Sequence, residues 1–249
     1  VVVAVHTEVD EFLGYEDADV DGFNAALPAE ATFSATQVGG NTAYWDVSVS
    51  DTAGVIDGAY DGWCIDTDRP LASNVDYTAE VVSSLYGSYD FSTLVEQPDN
   101  IDLLNYIINQ DWLGQTCAAD GRAYTMGDIQ RAIWGLLDDA VVSFGLGTYS
   151  QACADEIAAD ATANGEGYAP DCDEDVAVLL VPRDSAGAIS NQVIIAQIGF
   201  IEVGLECEAV VSGETGWAEG DRGFRQGWGM MIDYTTAECS DDPPVGIEL

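Results

Sequence analysis

The chain has 249 residues, 47% of them hydrophobic, with 45 acidic side chains against six basic ones and a formal net charge of −39. Such a charge repels nucleic acid and anionic lipid, which removes both from the expected partners, and it opposes compaction, so salt or divalent cations should favour the fold. Aromatic and β-branched residues spread along the whole length argue against disorder, no run of about 18 apolar residues is present to insert into a membrane, and the chain is long enough to bury a sizeable core.

In chain order, VVVAV (1–5) opens a β-branched strand that meets His6, Glu8 and Asp10 at once. It reads as the mature edge of an exported chain whose signal peptide has been removed. EDADVDGFN (16–24) sets Asp17, Asp19 and Asp21 before Gly22, the first half of a calcium loop, in which alternate carboxylates converge and glycine allows a sharp bend. The second half departs from an EF-hand: Pro28 stands where a bidentate glutamate belongs, and Asn24 where a hydrophobic residue is usual. An isolated extracellular calcium loop is left as the metal candidate, with Asp66 and Asp68 and the acidic run 171–175 as weaker ones. Calcium is thus the one cofactor expected, and no organic cofactor.

TFSATQV and AYWDVSVS flank GGN, a hairpin signal. GWCIDTDRPL is a short strand running into a turn, and residues 77–88 fit strand and helix equally. Residues 101–112 carry apolar side chains at helical spacing. Thr125 can cap a second helix with a stripe of Ile129, Ala132, Ile133, Leu136 and Leu137. Ser150 can cap a third helix through Ala163, stopped at Gly165. Residues 176–182 and 191–204 are continuous apolar strands joined by RDSAGAIS, and 227–235 is a further strand. Strands, helices, then strands give an α+β class: a mostly β, sandwich-like sheet core with a helical insertion at about 101–164. Without repeats or a flexible linker, 1–249 reads as one compact domain with a C-terminal β part at about 170–240.

The six cysteines (Cys64, Cys117, Cys153, Cys172, Cys207 and Cys239) are even in number and scattered, with no CxxC pair. That disfavours zinc and suits an extracellular or cell-surface protein with disulfides. Cys172 precedes and Cys207 follows the two apolar strands, so antiparallel pairing would join them. Cys117 and Cys153 flank helices of the insertion and form the next pair, leaving Cys64 and Cys239. The single histidine and the lack of a nucleophile-elbow, P-loop or dinucleotide glycine pattern point to a non-catalytic protein, and carboxylates are too abundant for any two to mark an acid–base pair.

Gln130 lies at the border of the apolar arc of its helix, a half-buried position by spacing. WCID (63–66) followed by IQRAIW (129–134) resembles the thioester domains of bacterial surface adhesins over roughly residues 60–140. The resemblance implies that the Cys64 thiolate attacks the Gln130 carboxamide, that ammonia leaves, and that Trp63 or Trp134 shields the thioester from water. An amine or hydroxyl on a host or neighbouring cell surface would then open it. The residues alone allow another role, in which Gln130 satisfies backbone groups of the Cys64 strand and Cys64 sits in a disulfide. Cysteine parity favours this role, because a thioester at Cys64 leaves one cysteine odd. The stretch 213–229 resembles a motif of uncharacterised exported archaeal and bacterial proteins and suggests no chemistry.

Three functions are therefore expected. The first is a structural subunit of a surface filament or pilus-like assembly, in which a strand with Val1, Val2, Val3 and Val5 adds to the sheet edge of another copy. The second is a thioester adhesin acting through Cys64 and Gln130. The third is a calcium- or carbohydrate-binding surface module.

Overall fold

A computed structural model describes residues 13–15, 20–85, 87–138, 143–171, 173–199 and 209–211. Its centre is β-structure built from short alternating segments. β2 (Glu30–Gln37) turns Ala31, Phe33 and Ala35 inward, and β3 (Tyr44–Ser50) turns Trp45, Val47 and Val49 inward, with polar residues between them facing out. They pair antiparallel as the expected hairpin. Its bend uses Gly39 and Gly40 at φ of 61° and 80°, the left-handed region in which a side chain is strained.

β4 (Gly58–Cys64) follows, and the ambiguous segment after it resolves as strand β5 (Tyr77–Ser83). β6 (Asp175–Pro182) and β7 (Ile194–Gly199) come after the helices. The order β2-β3-β4-β7-β6-β5 closes on itself through antiparallel β2–β5 and β4–β7 pairs. The mixed α+β class stands, but these six strands form a closed barrel where a sandwich-like sheet was expected. Period-two patterning marks a strand without naming its distant partner, and closure depends on two such partnerships. Closure also leaves these strands without open edges.

Helices α2 (Asp102–Ile108), α3 (Met126–Leu137) and α4 (Gln151–Asn164) lie in sequence between β5 and β6. They explain why β6 is buried on both faces rather than alternating. Asn105 of α2 accepts the Ala177 N–H at 2.9 Å and the Ser84 hydroxyl at 3.0 Å. Asn109, one turn on, accepts the Asp175 N–H and donates to its carbonyl, both at 2.8 Å. These amides dock the helical layer to the barrel.

Cys117 and Cys153 are joined in a disulfide, 36 residues apart in sequence. The same connection is reinforced by Glu156, which accepts the Ala118 and Ala119 N–H groups and the Tyr124 hydroxyl at 2.6–2.9 Å. Closing a loop of this length restricts the unfolded chain, so replacing both cysteines by serine should cost about 3–4 kcal/mol in urea unfolding. A loss below about 1 kcal/mol would show that the Glu156 contacts suffice without the bond.

Outside the barrel, α1 is Val20–Ala26, and β1 (Leu13–Tyr15) pairs antiparallel with β8 (Ala209–Val211). Asp21 sits in the first turn of α1 and Gly22 is helical, so the sharp bend expected at Gly22 for a calcium loop is not formed. Asp17 and Asp19 lie outside the described residues, as do Val1, Val2, Val3, Val5, Cys172, Cys207, Cys239, the 213–229 motif and the strand expected at 227–235. Among the described residues no helix is long and apolar enough to cross a membrane.

Candidate functional site

β4 and α3 bring together the two motifs of the sequence. Cys64 ends β4, opposite Ile194 of β7. Gly62, two residues earlier, permits this packing: a Cβ there would lie 2.3 Å from Val47 Cγ2 and 3.0 Å from the Ile195 carbonyl oxygen. α3 is held by its first turn. Asp128 accepts the Thr125 N–H at 2.8 Å and the Ser150 N–H at 2.7 Å, and pairs with Arg122 through bonds of 2.6 and 2.8 Å. Burial alone would raise the Asp128 carboxyl, but the Arg122 guanidinium and the N–H donors outweigh it and hold the group below the ordinary range.

Two residues after Asp128, the Gln130 side chain lies along the Cys64 main chain. Its Nε2 donates to the Cys64 carbonyl at 2.7 Å, and its Oε1 accepts the Cys64 N–H at 3.0 Å. That N–H also reaches the Ala43 carbonyl at 3.2 Å. Gln130 and Cys64 are both fully buried. The half-buried position expected for Gln130 is thus corrected. The hydrophobic arc described only one face, whereas β4, α2 and α4 enclose α3 so that Gly127 through Trp134 are all buried.

The two Gln130 bonds to the Cys64 main chain are the backbone contacts expected in the alternative role of Gln130. Cys64 is free among the described residues, and Cys239, left over with it by the expected pairing, lies outside them. The Trp45 indole Nε1–H donates to Cys64 Sγ at 3.1 Å. Burial drives the thiol far above its ordinary value, the indole bond pulls it back in part, and the Asp66 charge pushes it further up.

Two tryptophans neighbour the pair in sequence and are themselves buried. Trp63 donates to Gln197 Oε1 at 2.8 Å and packs on Tyr44 with ring centroids 6.0 Å apart. Trp134 lies one turn beyond Gln130 against Phe144, also at 6.0 Å. A surface depression of about 260 Å³ has Trp63 and Ile129 in its lining, the residues immediately before Cys64 and Gln130, together with Trp112, Met126 and the carboxylates of Asp61 and Asp111.

Asp66 of the WCID motif is structural in its contacts. It accepts the Asp68 N–H at 3.0 Å and the Arg69 and Val193 N–H groups at 3.4 Å, closing the turn that leaves β4. Burial pushes this carboxyl up to about 6, against the pull of those donors and of Arg69. A raised acid favours the fold while protonated. Its contribution is complete below the ordinary carboxylate value and is lost as pH rises through about 6. The stability of Asp66→Asn relative to the wild type should therefore improve by about 2 kcal/mol between pH 4 and pH 7 in urea titrations. A difference that does not change with pH would refute this environment for Asp66. Among the described residues no three acidic, histidine or cysteine side chains gather as a metal site.

Two participants were not anticipated from the sequence. Asp128 could have been found, since Thr125 followed three residues later by an acid is a capping pattern. Trp45 could not, because its approach to Cys64 follows from the pairing of β3 with β4, where Trp45 lies opposite Gly62. Comparison with protein families, curated proteins and solved structures finds no match to the chain.

Proposed function

We propose that the chain is a thioester protein that bonds covalently to a partner surface through Gln130. The observation that supports it most is the contact itself: a fully buried glutamine amide held at both ends by the main chain of a free, buried cysteine. The Cys64 N–H on Oε1 polarises the carboxamide and can stabilise the negative charge that develops on that oxygen under attack. The Cys64 carbonyl fixes Nε2, the leaving nitrogen. The thiol sulfur bonds to Gln130 Cδ, the Cδ–Nε2 bond breaks, and the thiol proton departs with ammonia. Burial then protects the thioester from water.

An incoming primary amine attacks the same carbon and displaces the sulfur. Its nitrogen bonds to Cδ, the Cδ–Sγ bond breaks, and its proton passes to the sulfur, leaving an amide at Gln130 and a free Cys64 thiol. No lysine occurs among the 249 residues, so these residues do not themselves supply a lysine amine. The net charge of −39 favours encounter with a cationic surface. The test is capture of a biotin-linked primary amine by the purified protein. Label on the Gln130 peptide that vanishes in Cys64→Ala supports the reading, and absence of label at Gln130 after denaturation in the amine overturns it.

The filament reading rests on Val1, Val2, Val3 and Val5, and the calcium reading on Asp17 and Asp19 with Asp21. Apart from Asp21 these lie outside the described residues, and neither reading gains support from the described fold.

A further inference from the structure

Trp45 is buried, lies on the strand next to Cys64, and its one N–H points to the cysteine sulfur at 3.1 Å. A second buried indole, that of Trp134, has no hydrogen-bond partner for its N–H among the described residues. The described part of the core therefore accommodates a tryptophan without satisfying its nitrogen, which makes the placement of the Trp45 donor on sulfur informative. We propose that Trp45 is a catalytic residue of the thioester, serving as the hydrogen-bond donor that stabilises charge on Cys64 Sγ.

This inference rests on the thioester reading above. Both directions of the chemistry bring negative charge to the same atom. During formation the sulfur must act as a nucleophile while its proton moves to the departing ammonia. During opening, the amine nitrogen bonds to Gln130 Cδ and the Cδ–Sγ electron pair collapses onto sulfur, which holds it until the amine proton arrives. Cys64 is fully buried, and burial penalises a thiolate there. A fixed N–H aimed at the sulfur offsets part of that penalty, and hydrogen bonds to ionised acceptors are the strong ones. The Cys64 N–H serves the oxygen of the carboxamide and the Trp45 N–H serves the sulfur, so the two atoms that carry charge have separate donors.

The test replaces Trp45 by 3-benzothienylalanine, which keeps the shape of the indole and lacks its N–H. The expected result is that ammonia release on folding and opening by methylamine both slow by about tenfold or more. Rates within twofold of wild type at position 45 would overturn the role of Trp45 while leaving the thioester intact. Absence of ammonia loss in the wild type would instead overturn the thioester reading and this inference with it. Should the Trp45 replacement not fold, the wild type still decides the matter by NMR. The Trp45 indole N–H resonance should shift when methylamine converts the thioester to a free thiol, and a resonance that does not move would refute the contact.

Discussion

Relative to the protein whose Gln130 amide is intact, Gln130→Ala should lower stability by about 3 kcal/mol, and it should abolish any loss of ammonia. Two costs add. The carboxamide is fully buried, so its removal opens a cavity beneath helices that cannot close independently of the barrel. The Cys64 carbonyl loses the donor it has at 2.7 Å, and a buried acceptor left without a partner costs more than an ordinary hydrogen bond contributes. The Cys64 N–H suffers less, because the Ala43 carbonyl remains as an acceptor. Gln130→Glu separates the two costs. It keeps the volume but, when ionised, sets a carboxylate oxygen against the Cys64 carbonyl, so its stability should recover on acidification as the carboxyl becomes a donor. This glutamate is also what water would leave by hydrolysing a thioester. Urea unfolding of both variants checks the expectation, and a Gln130→Ala loss under about 1 kcal/mol would mean that the amide does little for the fold.

Asp128→Ala should be comparably damaging, by about 3 kcal/mol. One carboxylate caps α3 at Thr125, ties the helix to Ser150 and pairs with both terminal nitrogens of Arg122. Its removal frees the two N–H groups together and leaves a partly buried guanidinium without its main counter-charge, since Asp120 lies farther away at 3.5 Å. Because Gln130 is only two residues on, loosening of this turn also moves the carboxamide. Thioester formation in Asp128→Ala should fall even in the fraction that remains folded. Asp128→Asn, which keeps one acceptor oxygen, should lie between the variant and the wild type. Equal stability of all three proteins would contradict the anchoring role.

The elements visible in the sequence were those specified by neighbours in the chain. The glycines between residues 30 and 50, the helical stripe after Thr125 and the position of Gly165 each act within a few residues, and the structure has a hairpin, α3 and the end of α4 there. Features set by distant contacts were hidden. Barrel closure needs β4 to find β7 some 130 residues later, and nothing in GAYDGWC names that partner. The depth of Gln130 depends on helices that pack over a face the hydrophobic arc left unassigned. Gly22 was read as a bend because acids and a glycine were counted by spacing, whereas the local chain continues as helix through it. At the site, the pairing of the Cys and Gln motifs was suggested by a resemblance. The donor on the cysteine sulfur could only come from three dimensions.

The most direct measurement is the intact mass of the unreduced protein, followed by mapping of the Cys64 and Gln130 peptides. The account predicts a mass lower by one ammonia than the disulfide-bonded chain, with the two peptides joined and separable by methylamine. A mass explained by disulfide hydrogens alone, with Gln130 intact and its peptide separate, would contradict it and make the glutamine a structural clamp on the Cys64 strand.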